Sequence, residues 1–519
     1  MKTENKMINA IIFLTLIILG LIIRIAFAVN LGLQNGDVAV YGLMAKHILE
    51  LKEFPVYVPL AHYSGIAASY TAAVLFKFFG ISTVMLNLTA VLFSLSCMIV
   101  MLFIARELLD RAGVVAALIL TVLPFHRIFI DYSLLLGNRS EDFFFMLLTL
   151  FIFIKWVKSG YSSRRTIPIC LGFFLGVSLW TTPNAMPLFF TIVAVTAFYD
   201  SKNIFYKGTF ILAGFIAGYI PAIIYNFQYP SAVFFRMAGR ILNLDRSVLL
   251  VPSPATVIMR QMIWRISEIS ASAYKIPNLT AALIGIPSAT LFIISIVLAL
   301  KDHGFGRGAG KDAWHVLCVY VLWFVLLYAT LVQIDTNRYM APLCMISPLF
   351  IGYLLSHLKI NFRFLSITLL SLLLIYNCYT IACAFPAKDS NHCSALASWL
   401  ISKKLQYGFS DYSTAYMTQF TTKEKSIISP TLFYPTFCDR WPEDTKRVRS
   451  AREIFYVIDK QSFPLAASII ESTFKNLGIS YKKGDVEGFE IYYDLSLLIY
   501  PESLHINEIY EKTKDKKAA

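Results

Sequence analysis

Charged side chains are scarce in this chain of 519 residues. They make up 15% of the residues, while hydrophobic residues make up 57%, and soluble domains usually carry about 25% charged residues. The mean hydropathy is +0.63. The chain also contains many apolar runs of roughly 20 residues, the length that crosses a bilayer. These features exclude an ordinary soluble protein, and we predict a polytopic α-helical membrane protein.

A single basic patch is also missing, although the net charge is +14. The basic residues fall in short clusters between apolar runs, such as Lys155–Arg165 and Lys301–Lys311. Proteins that bind nucleic acid concentrate positive charge on one surface, so we exclude a nucleic-acid partner. Clusters between apolar runs are typical of cytoplasmic loops under the positive-inside rule.

Metal-binding motifs are absent as well. The eight cysteines do not have the spacing of a metal site, and neither His62 nor His126 has a partner at the spacing of helical ligands. No cofactor is predicted, while a divalent metal held by acidic side chains stays open. Cys393 and Cys438 lie in the polar C-terminal part, where a disulfide between them is one alternative to two free thiols.

About eleven apolar runs are predicted to span the membrane. They are Met7–Val29, Val84–Ile104, Gly113–Ile130, Phe143–Val157, Ile167–Thr181, Ala185–Phe198, Gly208–Tyr225, Ala281–Leu300, Val316–Val332, Met340–Ser356 and Phe364–Ala384. The first run has Lys2 and Lys6 in front and Ala26-Phe27-Ala28 near its end, as a signal peptide would. Its length and the charge of Arg24 favour a retained helix instead.

Loop charge predicts the orientation in the plasma (inner) membrane. With the N-terminus in the cytoplasm, alternation places most basic loop residues on the cytoplasmic side, as the positive-inside rule requires. An odd number of spans then places the C-terminal part outside the cytoplasm.

Two outer loops are long, at about residues 30–83 and 227–280. In the first, apolar residues of the segment Asp37–Lys52 recur at helical spacing while Lys46, Glu50 and Lys52 fall elsewhere. This pattern predicts an amphipathic helix on the membrane surface. The second loop contains five arginines among apolar residues and is predicted to lie at the interface with a positive face.

Residues 386–519 are predicted to form a small extracytoplasmic α/β domain after a transmembrane domain of residues 1–385. Strands are expected at Ala415–Phe420, Ser426–Ser429, Ile454–Asp459 and Phe489–Asp494, and helices at Ser394–Leu405 and Leu465–Leu477. None of the residues of this domain is a catalytic candidate.

Asp37 is the most informative single residue, because it follows the turn signal Asn35-Gly36 just outside the first span. One interpretation is a helix N-cap, since aspartate accepts backbone hydrogen bonds there. The other is a general base that takes a proton from a hydroxyl group.

Glu141 and Asp142 begin the fourth span on the same predicted side, where the helix dipole stabilises negative charge. An acidic pair at the mouth of a membrane helix is also costly without a task or a partner.

Four stretches resemble the family 39-like membrane glycosyltransferases of the GT-C type, which use polyprenyl-phosphate sugars and include protein mannosyltransferases and the aminoarabinose transferase of lipid A. The stretches are Gly36-Asp37 with Tyr41, His62-Tyr63-Ser64 and Leu75–Gly80; Ala105–Leu109 with Leu123-Pro124-Phe125-His126; Leu179-Trp180-Thr181-Thr182 after Gly172–Gly176; and Asn337-Arg338-Tyr339 with Pro342. The resemblance covers roughly residues 1–385.

The resemblance implies Asp37 as catalytic base, assisted by Glu141 or Asp142. Candidate substrate-binding residues are Tyr41, His62, Tyr63, Arg139, Arg260, Arg265 and Arg338. Arginines would stabilise the charge that develops on a leaving phosphate, although snorkelling or binding of anionic membrane lipids is an ordinary alternative for them. The chain departs from the family in two places: Val38 follows Asp37 where an Asp-Glu pair is common, and the proline-rich lysine motif before the second span is absent.

The resemblance therefore implies a hexosyl or pentosyl transferase with inversion at the sugar carbon. Its partners would be a polyprenyl-phosphate-linked sugar donor and an extracytoplasmic hydroxyl on a lipid, a protein or a polysaccharide, with the C-terminal domain helping to hold the acceptor. The alternative from another class is a transporter or flippase of lipid-linked sugars. Transporters more often place charges in mid-span and repeat their halves.

Overall fold

The computed structural model describes residues 2–133, 135, 139–161, 164–229, 278–303, 313–331, 341–357, 360–385, 392–433, 439–504 and 506. The chain forms two compact units, each assembled from segments that are distant in the sequence. The first, here called the helical unit, comprises Met1–Ala28, His62–Ala67 and Ala90–Phe385. The second, here called the sheet unit, comprises Val29–Ala61, Ala68–Thr89 and Pro386–Ala519.

The described residues up to Tyr229 are mostly helical. Their elements are α1 (Lys2–Asn30), α2 (Gly36–Leu49), β1 (Tyr57–Val58), β2 (Ala61–Gly65), α3 (Ala67–Phe79), α4 (Thr83–Leu108), α5 (Arg111–Val122), α6 (His126–Ser133), α7 (Arg139–Lys158), α8 (Thr166–Thr181), α9 (Met186–Tyr199) and α10 (Ile204–Gln228). Further along, the described ranges between residues 278 and 385 contain α11 (Asn278–Asp302), α12 (Ala313–Leu331), α13 (Ala341–Met345), α14 (Ser347–His357) and α15 (Ile360–Ala384).

The predicted spans fall on these helices, and two of them are interrupted. The third predicted span is divided into α5 and α6, and the tenth is divided into α13 and α14. Within the described residues, three helices are long and apolar enough to cross a membrane: Met7–Asn30, Thr83–Leu108 and Ser201–Gln228. The chain is thus a helical membrane protein, while the number of eleven spans stays a prediction.

A buried arginine satisfies the carbonyl groups where α5 ends. Arg24 is fully buried and donates to the carbonyl oxygens of Thr121 and Val122, both at 3.0 Å, and to Ser94 Oγ at 2.6 Å. Asn377 donates to the next carbonyl, Leu123, at 2.9 Å. The last carbonyls of a helix have no partner within the helix. Arg24 and Asn377 provide these partners, and they therefore stabilise the interruption of the helix just before Pro124.

Helices α8 and α10 pack with their backbones in direct contact. A Cβ atom at Gly172 would lie 1.9 Å from the carbonyl oxygen of Ile211, and one at Gly218 would lie 2.0 Å from that of Phe173. Small residues four apart allow helices to approach this closely inside a membrane. Gly172 and Gly176 on α8, with Gly214 and Gly218 on α10, provide that spacing.

The C-terminal part of the sheet unit is a mixed sheet with helices on both faces. Its elements are α16 (His392–Ser402), β3 (Tyr407–Phe409), α17 (Tyr412–Thr421), β4 (Ile427–Ser429), α18 (Pro442–Ser450), β5 (Phe455–Asp459), α19 (Ala466–Asn476), β6 (Lys482–Val486) and β7 (Phe489–Tyr493). The strand order is β4-β3-β5-β7-β6, with β3 parallel to β4 and β5, and β7 antiparallel to β5 and β6.

Two hydrophobic cores cover the two faces of this sheet. Successive residues of a strand point to opposite faces, and β5 follows this rule. Phe455 and Val457 belong to the core that contains residues of α16 and α17. Tyr456 and Ile458 belong to the core that contains residues of α18 and α19.

The strand predicted at Ala415–Phe420 is wrong, because this segment lies within α17. The Asp411 side chain accepts hydrogen bonds from the backbone N–H groups of Ser413 and Thr414 at 2.9 and 3.1 Å. This is a helix N-cap, and it starts a helix through residues whose types alone favour a strand. Strands β3 and β6 and helix α18 were not predicted.

Candidate functional site

Asn35, not Asp37, caps the N-terminus of α2. The Asn35 side chain accepts a hydrogen bond from the backbone N–H of Val38 at 3.0 Å. Asp37 lies in the first turn of the helix, and the N-cap interpretation of this residue is therefore wrong. Its carboxylate is 59% exposed, whereas every residue from Val38 to Ile48 is buried. Asp37 is thus an accessible carboxylate at the end of a buried helix.

Two side chains of the C-terminal part contact the Asp37 carboxylate. The Tyr412 hydroxyl donates to Asp37 Oδ1 at 2.7 Å, and Arg440 Nη2 lies 3.8 Å from the same oxygen. Tyr412 is the first residue of α17, and Arg440 lies two residues before α18. The sequence contained no local signal for either residue, because more than 370 positions separate each from Asp37.

Arg440 is itself held in place on several sides. Its Nε donates to the Tyr412 hydroxyl at 3.2 Å, its Nη1 donates to the carbonyl oxygen of Pro59 at 2.6 Å, and its backbone N–H donates to the Tyr416 hydroxyl at 2.6 Å. The guanidinium carbon lies 5.6 Å from the centre of the Tyr412 ring. Burial, and then the negative charge of Asp37, raise the pKa of Tyr412 despite the opposing effect of Arg440. The phenol therefore stays protonated and remains a donor.

Helices α2 and α17 lie side by side and run in the same direction. At their N-terminal ends, the backbone N–H of Gly36 donates to Ser413 Oγ at 3.4 Å. One to two turns further on, a Cβ at Gly42 would lie 2.6 Å from the ring of Phe420. Near their C-terminal ends, His47 contacts Glu424. The whole length of α2 is therefore fixed against α17.

An ionic cluster, here called the Glu424 cluster, joins the C-terminal end of α2 to the residues after α17. Lys46 Nζ donates to Glu424, and His47 lies between Glu424 and Glu53 with N···O distances of 2.7 Å to each. Trp441 Nε1 donates to Glu53 at 3.2 Å. Lys46 is 5% exposed and His47 is 7% exposed. The predicted amphipathic helix is therefore buried on its charged side too, which differs from the pattern expected of a surface helix.

The cluster shifts the pKa values of His47 and Glu424 in opposite directions. Burial alone would lower the pKa of His47, but the hydrogen bonds and charges of Glu424 and Glu53 outweigh it and raise the pKa to about 9. Burial alone would raise the pKa of Glu424, but His47 and Lys46 lower it to about 2. Both residues are charged at neutral pH, so the contact is a buried ion pair.

The helical unit contains a second group of candidate residues at the start of α7. Arg139 forms an ion pair with Asp131, which is fully buried. Glu141 and Asp142 are 0% and 5% exposed, and the Asp142 carboxylate interacts with the side chains of Thr181 and Thr182 as well as with the charge of Arg139. Asp142 thus has polar partners within the helical unit.

Strand β2 approaches this second group. A Cβ at Gly65 would lie 2.8 Å from both Thr181 Cα and the carbonyl oxygen of Trp180. Two stretches singled out in the sequence, His62-Tyr63-Ser64 with Gly65 and Leu179–Thr182, are therefore adjacent, and Asp142 interacts with the second of them. The backbone of His62 and Tyr63 belongs to β2, and their side chains are outside the described part.

Of the remaining candidates for substrate binding, one lies in the described part of the chain and three lie outside it. Tyr41 lies one turn after Asp37 on α2 and is 2% exposed. Arg260, Arg265 and Arg338 lie outside the described residues, as does Cys438, so their roles and the disulfide to Cys393 stay predictions. In the part of the chain that the structure describes, no three His, Cys, Asp or Glu side chains are grouped to hold a metal ion, and no metal site is assigned.

The fold defined by these elements is that of the GT-C membrane glycosyltransferases. The chain is similar in structure to ArnT from Cupriavidus metallidurans bound to undecaprenyl phosphate, with a TM-score of 0.60 and 10% identity over 94% of this chain and 99% of that chain. It is also similar to the oligosaccharyltransferase AglB from Archaeoglobus fulgidus in complex with an inhibitory peptide and a dolichol-phosphate. That match has a TM-score of 0.56 and 12% identity over 94% of this chain and 74% of that chain.

Sequence comparison adds nothing to this likeness, since no family model and no curated protein matches the chain. The GT-C resemblance drawn from a few short stretches is confirmed at the level of the fold.

Proposed function

We propose that this protein transfers a sugar from a polyprenyl-phosphate donor to a hydroxyl group of an extracytoplasmic acceptor. The observation that supports this proposal most is the exposed Asp37 carboxylate at the end of an otherwise buried helix. Burying nearly a whole helix while leaving one carboxylate accessible is the arrangement expected of a base that must reach a substrate. The fold supports the donor class, because ArnT is bound to undecaprenyl phosphate and AglB is in complex with a dolichol-phosphate.

The proposed reaction is a single inverting displacement. The acceptor oxygen attacks the anomeric carbon, and a new C–O bond forms on the face opposite the phosphate. The bond between the anomeric carbon and the phosphate oxygen breaks, and polyprenyl phosphate leaves with the bonding electrons. Asp37 takes the proton of the acceptor hydroxyl. Since the donor is already activated, no nucleotide or redox partner is required.

The second group, at the start of α7, is proposed to assist the same reaction. Asp142 and Glu141 would orient the sugar or the acceptor through hydrogen bonds. Arg139, with Arg260, Arg265 and Arg338, would stabilise the charge that develops on the leaving phosphate. Tyr41, His62 and Tyr63 are proposed to line the substrate site. A divalent cation bound together with the substrate phosphate is compatible with this scheme.

The proposed orientation places the N-terminus in the cytoplasm and the C-terminal part of the sheet unit outside. The acceptor is then a lipid, a protein or a polysaccharide of the cell envelope. The sheet unit provides Asp37 and its neighbours, and it is proposed to meet the acceptor.

Transfer by purified protein tests this proposal. The protein in detergent is incubated with radiolabelled polyprenyl-phosphate hexoses and pentoses and with lipid, peptide and polysaccharide acceptors, and the labelled product is counted. We expect transfer by the native chain and a loss of at least about a hundredfold in Asp37→Asn, the usual contribution of a general base. The matched control is Asp485→Asn, whose carboxylate is 58% exposed and also pairs with a cation. Full activity of Asp37→Asn would remove Asp37 as the base.

The same preparation separates the transporter alternative. Reconstituted vesicles with labelled donor on one side show either a labelled acceptor or a donor that has changed sides unmodified. Movement of unmodified donor without any transfer would replace the proposed enzyme with a flippase.

A further inference from the structure

Both described contacts of the Asp37 carboxylate fall on a single oxygen. Tyr412 donates to Oδ1, and Arg440 Nη2 approaches Oδ1 as well. Neither contact involves Oδ2, and the side chain is 59% exposed. Oδ1 of the carboxylate is therefore held from the C-terminal part, while Oδ2 takes part in neither contact of this exposed side chain.

We propose that Tyr412, supported by Arg440, is a positioning residue that fixes Oδ1 of Asp37 so that Oδ2 receives the proton of the acceptor hydroxyl. This inference rests on the proposed function, in which Asp37 is the base. It assigns a task in the reaction to the C-terminal part of the chain, in which the sequence contained no catalytic candidate.

The two side chains have different tasks because their distances to Asp37 differ. An O–H···O distance of 2.7 Å is a full hydrogen bond, whereas an N···O distance of 3.8 Å is an ion pair without one. Tyr412 therefore fixes the position of the carboxylate. Arg440 fixes Tyr412, because its Nε donates to the hydroxyl and its Nη1 is bound to Pro59.

Positioning of this kind acts on the rate more than on binding. A hydrogen bond to one carboxylate oxygen restricts rotation about the Cβ–Cγ bond and so fixes the orientation of the other oxygen. Losing the donor then lowers the fraction of base that is correctly oriented, while the sugar and lipid contacts that determine KM stay in place.

Tyr412→Phe tests this step with a matched control in the same domain. The variant keeps the ring beneath Arg440 and removes only the hydroxyl. Tyr500→Phe is its counterpart: the Tyr500 hydroxyl also makes one hydrogen bond, to the carbonyl of Arg449 at 2.8 Å, and Arg449 lies 5.6 Å from its ring centre. Removing that hydroxyl leaves the contacts of Asp37 untouched. We expect kcat to fall about tenfold in Tyr412→Phe with KM changed less than twofold, and both constants to be unchanged in Tyr500→Phe.

A second measurement is independent of enzyme activity. Carbodiimide with glycine ethyl ester modifies carboxyl groups, and mass spectrometry of peptides gives the rate at Asp37 relative to Asp485 in the same chain. We expect a rate about threefold higher in Tyr412→Phe than in Tyr500→Phe, because the oxygen that accepted the hydrogen bond of the Tyr412 hydroxyl is then free to react. Since Asp37 is already exposed, a change of accessibility contributes little.

The two measurements separate the inference from the proposed function. Equal labelling of Asp37 in Tyr412→Phe and Tyr500→Phe would overturn the inference, as would an unchanged kcat in Tyr412→Phe. Full transfer by Asp37→Asn would overturn the proposed function, and it would do so even with the labelling difference intact.

Discussion

Gly42 of α2 lies directly against the ring of Phe420 of α17. A Cβ at position 42 would lie 2.6 Å from Phe420 Cε2 and 2.9 Å from Leu86 Cδ2. Phe420 is itself 2% exposed, and its ring centre lies 6.2 Å from that of Phe76, with the two rings tilted by 32°. The ring has no free space to move into, so the separation of the two helices is set by the absence of a side chain at position 42.

Gly42→Val is expected to destabilise the sheet unit. Forcing a side chain into a filled contact costs about 1–3 kcal/mol, and the thermal midpoint of the purified protein, followed by tryptophan fluorescence, should fall. Phe420→Leu in the same chain shortens the opposing side chain and should restore part of the loss. A double variant no more stable than Gly42→Val alone would contradict this contact.

The ion pair of His47 and Glu424 predicts how stability depends on pH. The pKa of His47 is raised to about 9. Its contribution to the free energy of unfolding is therefore complete below the usual histidine pKa of about 6.5 and is lost as the pH rises through 9. The pKa of Glu424 is lowered to about 2, so its contribution is complete above about 4.5 and is lost as the pH falls through 2. Both contributions are complete between about pH 4.5 and 6.5.

His47→Gln tests this dependence. Between pH 6.5 and 9 the native protein should lose on the order of 2 kcal/mol of unfolding free energy through this residue, and the variant should lose less over the same range. Urea titrations at several pH values measure the difference. Parallel curves for the two proteins from pH 6 to 9 would mean that His47 is not charged in the fold.

Leu51 has a backbone conformation that favours glycine. It follows the C-cap of α2 with a φ of 57°, while Leu51 N–H donates to the Ile48 carbonyl and Lys52 N–H donates to the His47 carbonyl. This is the Schellman motif, in which glycine usually occupies the position of Leu51. Left-handed backbone costs an L-residue roughly 1–2 kcal/mol, and the Leu51 side chain is 74% exposed.

Leu51→Gly should therefore stabilise the protein by about 0.5–1 kcal/mol, after the larger entropy of an unfolded glycine is subtracted. Leu49→Gly, two residues earlier and inside the helix, should have the opposite sign, with a loss of about 1 kcal/mol. Thermal midpoints of the two variants measure both effects side by side. A stabilising Leu49→Gly would contradict a helix that continues through Leu49.

Arg24 should be required for stability although it lies within the first apolar run. Replacing it with methionine removes the donors to the carbonyls of Thr121 and Val122, and unsatisfied buried polar groups cost about 1–3 kcal/mol each. We expect Arg24→Met to lower the free energy of unfolding by about 2–5 kcal/mol. A lower thermal midpoint of the variant in detergent would show this loss. Arg24→Lys keeps the charge but offers its donors from one nitrogen, so it should retain only part of the stability that Arg24→Met loses. A methionine variant as stable as the native chain would exclude the capping role.

Local features of the sequence were predictable where the determining groups are neighbours. Helix α2 was expected from Asp37 and begins at Gly36, because the turn signal and the apolar spacing lie within the segment itself. The third apolar run was predicted as one span, whereas the structure divides it before Pro124. Proline disfavours helix for the residue before it, and the side chains that stabilise the break, Arg24 and Asn377, come from distant segments.

The surroundings of Asp37 could not be predicted for the same reason. Lys46 and His47 have the appearance of a solvent-exposed polar face, and only Glu424, more than 370 residues later, shows that they are buried. The packing of α17 on α2 brings the Tyr412 hydroxyl within hydrogen-bond distance of Asp37. Within α17, the spacing of Tyr412 and Tyr416 after Asp411 was a helical signal, but the β-branched and aromatic residues of the segment favoured a strand.

The sheet unit joins Val29–Ala61 to Pro386–Ala519, and this order in the chain has a consequence during biosynthesis. The nascent polypeptide exposes α2 long before α17 leaves the ribosome. At about 5–20 residues per second, the interval is roughly 20 to 75 seconds. Throughout that time Asp37 lacks its hydrogen bond from Tyr412, and His47 lacks its ion pair with Glu424. Premature termination anywhere before α17 therefore yields a membrane-inserted product in which α2 has no partner to pack against.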